Sequence, residues 1–131
     1  MTSDSRARRA VALALVADAA CVLAFAAVGR RSHAEGLTVT GVLETAWPFL
    51  SGTALGWLII RGWRNPSSVV PTGVAVWVAT VVVGMALRRA TSQGTAVSFV
   101  IVASLATGVL LLGWRGGAAI LTRRRSVRPD R

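Results

Sequence analysis

The stretch AVALALVADAACVLAFAAVGRR, residues 10–31, decides how this chain is read. From Ala10 to Gly29 it carries one charged side chain, Asp18, and it stops at Arg30 and Arg31. At about 1.5 Å of rise per residue, a helix of that length reaches about 30 Å, the thickness of a bilayer's hydrocarbon core. Arg6, Arg8 and Arg9 ahead of it imitate the start of a signal peptide. The length of the block, Asp18 within it and the closing Gly29-Arg30-Arg31 make it instead a retained helix.

Three similar blocks follow, Val42 to Ile60, Val70 to Leu87 and Thr95 to Trp114. The chain has 131 residues, enough for one domain, and 53% of them are hydrophobic against 15% charged, a balance unlike that of water-soluble proteins. The expected class is an all-α, polytopic membrane protein of the cell membrane. Short connections make consecutive helices antiparallel neighbours, so the expectation is a four-helix up-down bundle, with the lipid bilayer as its first partner.

The formal charge of +10 would suggest nucleic acid if the basic residues formed a stripe on a polar domain. All fifteen are Arg, and they sit at the edges of the apolar blocks, where membrane proteins carry orientation signals. Eleven lie on the side of the termini and four (Arg30, Arg31, Arg88, Arg89) on the other, which places both termini in the cytoplasm. The basic tail from Arg115 to Arg131 then faces anionic headgroups, each Arg contributing about 1 kcal/mol near such a surface. A lone Cys21 excludes an intrachain disulfide, and with His33 as the only histidine no Cys or His metal site can form. Phosphate-binding loops, nucleophile elbows and redox motifs are absent, so neither an enzyme nor a cofactor is expected.

Local signals refine the helices. Ser67 and Ser68 are placed to cap the third, with Pro71 in its first turn. Pro48 lies about two turns inside the second, where it frees a carbonyl and favours a kink. Trp63 and Trp114, next to helix ends, read as interfacial anchors. An internal repeat is also legible: Arg30-Arg31 with Glu35-Gly36 matches Arg88-Arg89 with Gln93-Gly94, and Gly62-Trp63-Arg64 matches Gly113-Trp114-Arg115. Two hairpins of one orientation, about 10–64 and 70–115, are implied, related by a pseudo-twofold axis along the membrane normal.

The runs Gly29-Arg30-Arg31-Ser32-His33, Trp47-Pro48-Phe49, Trp63-Arg64-Asn65-Pro66, Thr72-Gly73 with Trp77, Gly84 through Arg88, Ser98-Phe99 and Gly113-Trp114-Arg115 carry a resemblance over roughly Asp18 to Arg115. The chain resembles a domain-of-unknown-function family of small membrane proteins, found mainly in actinobacteria and halophilic archaea. That resemblance implies a four-helix membrane fold and no particular activity.

Asp18 is the first candidate for chemistry, because an intramembrane carboxylate is costly and marks a function by default. Counting depth from the helix ends puts Ser51, Gly52, Thr53, Thr80 and Thr107 at its level, a polar layer for a proton or ligand. No Arg is expected to reach that layer, and burial without a counter-charge favours the neutral acid, able to take up and release a proton. The plainer alternative is a protonated Asp18 hydrogen-bonded to a Ser or Thr across helices.

Arg30, Arg31, Arg88 and Arg89, with His33, Glu35 and Glu44 near them in sequence, form a second constellation, suited to an anion or an anionic lipid headgroup. Arginines at helix ends that simply snorkel to the interface are the alternative. The small residues Gly52, Gly56, Gly84 and Gly108 let backbones approach closely, for helix packing or for a homodimer. Two functional readings follow. One is a structural or accessory component serving another membrane protein; the alternative is a small proton-coupled transporter or channel that uses Asp18, with an anion gathered by the outer arginines.

Overall fold

The computed structural model describes residues 2–32 and 37–127, and its described residues form helices joined by short turns, with no strand. Helix α1 covers Ser3–Ser32, α2 Val39–Ile60, α3 Val74–Ala90 and α4 Val97–Val127. A 3₁₀ turn, Gly62–Arg64, and a wide π-type turn, Val69–Gly73, connect α2 to α3. The anticipated caps are partly in place: Ser68 caps the π-type turn, its hydroxyl accepting from the Thr72 amide at 3.3 Å. Thr38 caps α2 in the same manner, accepting from the Gly41 amide at 3.0 Å. Arg61 closes α2 in the left-handed region at φ 54°.

The helices form a ring in which each packs on its neighbours in sequence and α4 returns to α1. The α2–α3 pair packs most extensively. Its seam is built on glycine: a Cβ placed on Gly52 would sit 2.6 Å from the Ala79 carbonyl oxygen, and one on Gly56 2.9 Å from the Ala79 Cβ. Gly84 lies against the ring of Phe49 and Gly108 against that of Trp77.

Two cores fill the ring. The first gathers Phe25, Phe49 and Phe99, the chain's three phenylalanines, with Val22, Ala46 and Ala103. Phe25 meets Phe49 edge-on with centroids 5.2 Å apart, a geometry worth about 0.5–1.5 kcal/mol beyond area burial. The second core, toward the termini, holds Ala14, Trp57, Val76 and Leu111. The buried polar side chains are Asp18, Thr53, Thr72, Thr80, Thr107 and Arg115, while Val16, Leu58, Val82, Leu105 and Val109 point outward. Polar groups inside and aliphatic ones outside suit a lipid surround.

Three helical segments, Ser3–Arg30, Val69–Ala90 and Val97–Arg125, are long and apolar enough to cross a membrane. Helix α2 is long enough at 22 residues, but Glu44 and its Thr, Ser and Gly residues lower its hydropathy. Pro48 is buried inside α2, which continues without a break from Val39 to Ile60.

The C-terminal end of the fourth block needs correction. Helix α4 does not stop near Trp114 but continues to Val127. Gly116 and Gly117 each lower helix propensity by about 0.8–1.0 kcal/mol relative to alanine, and the following Ala118 to Leu121 favour helix again. The repeat marks therefore lie in different settings: Gly62–Arg64 is a 3₁₀ turn, whereas Gly113, Trp114 and Arg115 lie inside α4.

Candidate functional site

Asp18 lies on α1, fully buried, with α4 beside it and the end of α2 opposite. Both carboxylate oxygens are engaged by Arg115 of α4, whose Nη1 donates to Oδ1 and Nη2 to Oδ2, each at 2.8 Å. Arg115 is likewise 0% exposed. Two indoles complete the shell: Trp57 Nε1 of α2 donates to Oδ2 at 2.8 Å, and Trp114 Nε1 of α4 to Oδ1 at 2.9 Å. Trp114 also stacks beneath the guanidinium, whose carbon lies 4.5 Å from the ring centroid.

The rest of the guanidinium is tied to backbone. Arg115 Nε donates to the Pro66 carbonyl at 3.1 Å, and Nη1 also to that of Leu111 at 3.1 Å. Thus one side chain clamps α4 to α1 and to the turn ahead of α3. Gly73 makes the passage possible, because a Cβ there would lie 2.9 Å from Arg115 Cδ. Thr72 secures the same turn by donating from Oγ1 to the Asn65 carbonyl at 2.8 Å.

This overturns the expectation that no Arg can reach Asp18. The cause is directional: side chains on a helix lean toward its N-terminus, so Arg115 of the continuing α4 reaches back into the bundle, as its bond to Leu111 records. Trp114 is corrected with it, being a partner of Asp18 instead of a belt residue, whereas Trp63 is exposed. A sequence signal exists. The apolar run resumes after Arg115 at Ala118 to Leu121, leaving one Arg inside an apolar block opposite one Asp inside another.

The anticipated polar layer divides. Asp18 keeps company with Trp57, Trp114 and Arg115, whereas Thr53 and Thr80 bond to each other at 2.7 Å across the α2–α3 seam. Thr107 donates to the Ala103 carbonyl of its own helix at 2.6 Å, and Ser51 to that of Trp47 at 2.8 Å. Trp57 is one turn beyond Thr53 on α2, so Asp18 lies nearer the terminal end than a count of depth along the helices implies.

Chemically, Asp18 sits in a shell of donors. Guanidinium and indole nitrogens donate and cannot accept, so an acid O–H would find no acceptor among these four contacts. The arrangement suits the carboxylate, neutralised by Arg115.

At the opposite end, Arg30 and Arg88 line one pocket of about 280 Å³ with Phe25, Thr45, Gly94 and Phe99. Arg30 Nη1 donates to Thr45 Oγ1 at 3.4 Å. Arg88 lies over the Phe99 ring at 4.3 Å and donates from Nε to the Gly94 carbonyl at 3.0 Å and from Nη1 to Gln93 Oε1 at 3.1 Å. Arg89 is exposed outside this lining. The Arg31 side chain, His33 and Glu35 lie outside the described residues, and Glu44 is exposed. Among the described residues no group of three or more His, Cys, Asp or Glu side chains is placed to hold a metal ion.

Residues 15–118 match a family model described as a protein of unknown function. No curated protein and no solved structure matches the chain.

Proposed function

The chain belongs to the DUF3054 family, and from that premise we propose that it is a four-span protein of the cell membrane acting as a structural or accessory component, without enzymatic chemistry. The observation that carries this reading is the closed shell around Asp18. This carboxylate, deep within α1, is held by four donated hydrogen bonds from α2 and α4, an arrangement that locks helices together and leaves no place for a travelling proton. The alternative, a proton-coupled transporter or channel centred on Asp18, requires that shell to open in every cycle.

Helix α2 is the fourth span in this reading. Its 22 residues reach about 33 Å. Its Pro48, Gly52, Thr53 and Gly56 are buried against neighbouring helices, while Leu43, Leu55, Leu58 and Ile59 face outward. Mean hydropathy understates such a helix because Gly52, Thr53 and Gly56 are covered by neighbouring helices, while exposed Glu44 lies in its first two turns. Taking the buried Arg115 out of the orientation count leaves ten arginines against four, and both termini stay cytoplasmic.

Reconstitution into proteoliposomes tests the proposal. The expected result is no solute-driven current above that of empty liposomes at any pH, together with a membrane protein recovered on crosslinking in native membranes. A pH-dependent current in the wild type that Asp18→Asn abolishes would overturn it in favour of transport.

A further inference from the structure

We propose that the end of the bundle remote from the termini holds one anionic phospholipid, its phosphate between Arg30 and Arg88 and an acyl chain in the groove between α1 and α4. Two adjoining cavities carry the inference. The more polar of the two, about 280 Å³, places both guanidinium-bearing side chains around a common space with Thr45. The second, about 590 Å³, is lined by Ala24, Val28, Gly29, Leu105, Ala106 and Val109, and it shares Phe25 and Gly29 with the first.

The groove has a structural cause. Helices α1 and α4 are tied near the terminal end by Asp18 with Arg115 and Trp114, and a turn further on by the contact of the Cys21 thiol with the Leu110 carbonyl at 3.6 Å. Beyond that point Ala24, Gly29 and Ala106 are too small to fill the seam. From Val102 to Leu110 the groove follows eight residue steps of α4, about 12 Å. A polar mouth with two cations opening on an apolar trough in the bilayer's plane has the shape and charge of a lipid. Arginine recognises phosphate through paired donors, and Phe99 beneath Arg88 fixes the plane of one guanidinium.

The test uses the whole chain in detergent micelles and lipid nanodiscs. Phosphatidylglycerol titrated into the delipidated protein is expected to raise its Tm and to bind at least tenfold more tightly than phosphatidylcholine. Arg30→Gln with Arg88→Gln should remove that preference, and Arg89→Gln should leave it unchanged. Ala106→Leu, which fills the trough and spares the arginines, should weaken lipid binding at least tenfold. For the wild type, so that no result depends on a variant folding, a photoreactive acyl chain on phosphatidylglycerol should form adducts within 24–29 or 102–110. Equal binding of the two lipids, or adducts elsewhere, would overturn the proposal. So would inorganic phosphate competing as well as the lipid does, which would make the pocket a site for free anions.

Discussion

Asp18 and Arg115, 97 positions apart in sequence, meet in a two-pronged ion pair with both arms at 2.8 Å and neither side chain exposed. Its partners come from α2, from α4 itself and from the turn ahead of α3, so the pair ties α1, α2, α4 and that turn together. In a low-dielectric interior the attraction offsets desolvation only when the remaining donors and acceptors are satisfied. Here two indoles and two backbone carbonyls do that.

Removing either charge alone should therefore be severe. Arg115→Met is expected to cost about 3–5 kcal/mol, because it leaves a buried carboxylate without its counter-ion. Asp18→Asn should cost a similar amount by stranding the guanidinium. The double variant Asp18→Asn/Arg115→Met removes both charges and keeps an acceptor for an indole, so it should be more stable than the sum of its parts by about 1–3 kcal/mol. Reversible unfolding in mixed micelles measures all three, and strict additivity would show that the pair is not coupled.

Each indole should be separable from its ring. Trp57→Phe and Trp114→Phe keep most of the packing and lose one N–H donated to a carboxylate, an interaction worth about 1.5–3 kcal/mol. The Trp114 variant should cost more, since that ring also stacks on Arg115. Replacing exposed Trp63 by Phe should change the midpoint of unfolding little. Equal effects at all three positions would refute the assignment.

Glycine positions sort by what lies next to them. Gly52→Ala places its Cβ against the backbone of Ala79 and Thr80, which cannot move aside, and should cost about 1–3 kcal/mol. Gly84→Ala meets the ring of Phe49, itself buried and packed against Phe25 and Phe99, and should cost a comparable amount. A Cβ added at Gly113 would meet nothing within 4 Å, so Gly113→Ala should be neutral or stabilising by about 0.5–1 kcal/mol through helix propensity. Thermal unfolding of the three variants side by side measures the order, and a Gly113→Ala loss as large as that of Gly52→Ala would contradict it.

The hydroxyl pair across the α2–α3 seam is a small contribution. Thr53→Val and Thr80→Val in a double-mutant cycle should couple by about 0.6 kcal/mol, and by no more than about 1.7 kcal/mol. A larger coupling would give this pair a weight comparable to that of Asp18 and Arg115.

Topology is open to labelling. In a Cys21→Ala background, Ser3→Cys and Ser67→Cys should react with an impermeant thiol reagent only from the cytoplasmic side, and Ala90→Cys only from outside. All three positions are exposed. Labelling of Ser67→Cys from outside would mean that α2 does not cross the membrane.

Much of the architecture is legible in the sequence because it is local. Twenty residues, all but Asp18 apolar, ending at Gly29-Arg30-Arg31 require a helix, since a backbone in lipid must satisfy its own hydrogen bonds. Ser68 ahead of a helix start and small residues at four-residue spacing announce their roles within a turn or two. Membership of an uncharacterised family is legible as well, because it depends on residues in order along the chain. Asp18 can be singled out for the same reason: a charge inside an apolar run is visible without any fold.

What Asp18 faces is decided by the tertiary structure alone. Whether Arg115 ends a helix at the interface or lies inside a longer one depends on α4 continuing through Gly116 and Gly117, and on Gly73 of another element leaving room for its stem. The apolar run that resumes at Ala118 hints at the first condition, but the second belongs to a residue 42 positions away and is not written around Arg115. Likewise, Arg30 and Arg88 share one pocket only because α1 and α3 end at the same height in the ring. Helices follow from hydrogen bonds and hydropathy within a few residues; the pairing of charges across them follows from rotation, depth and side-chain reach, which arise only when the four helices pack.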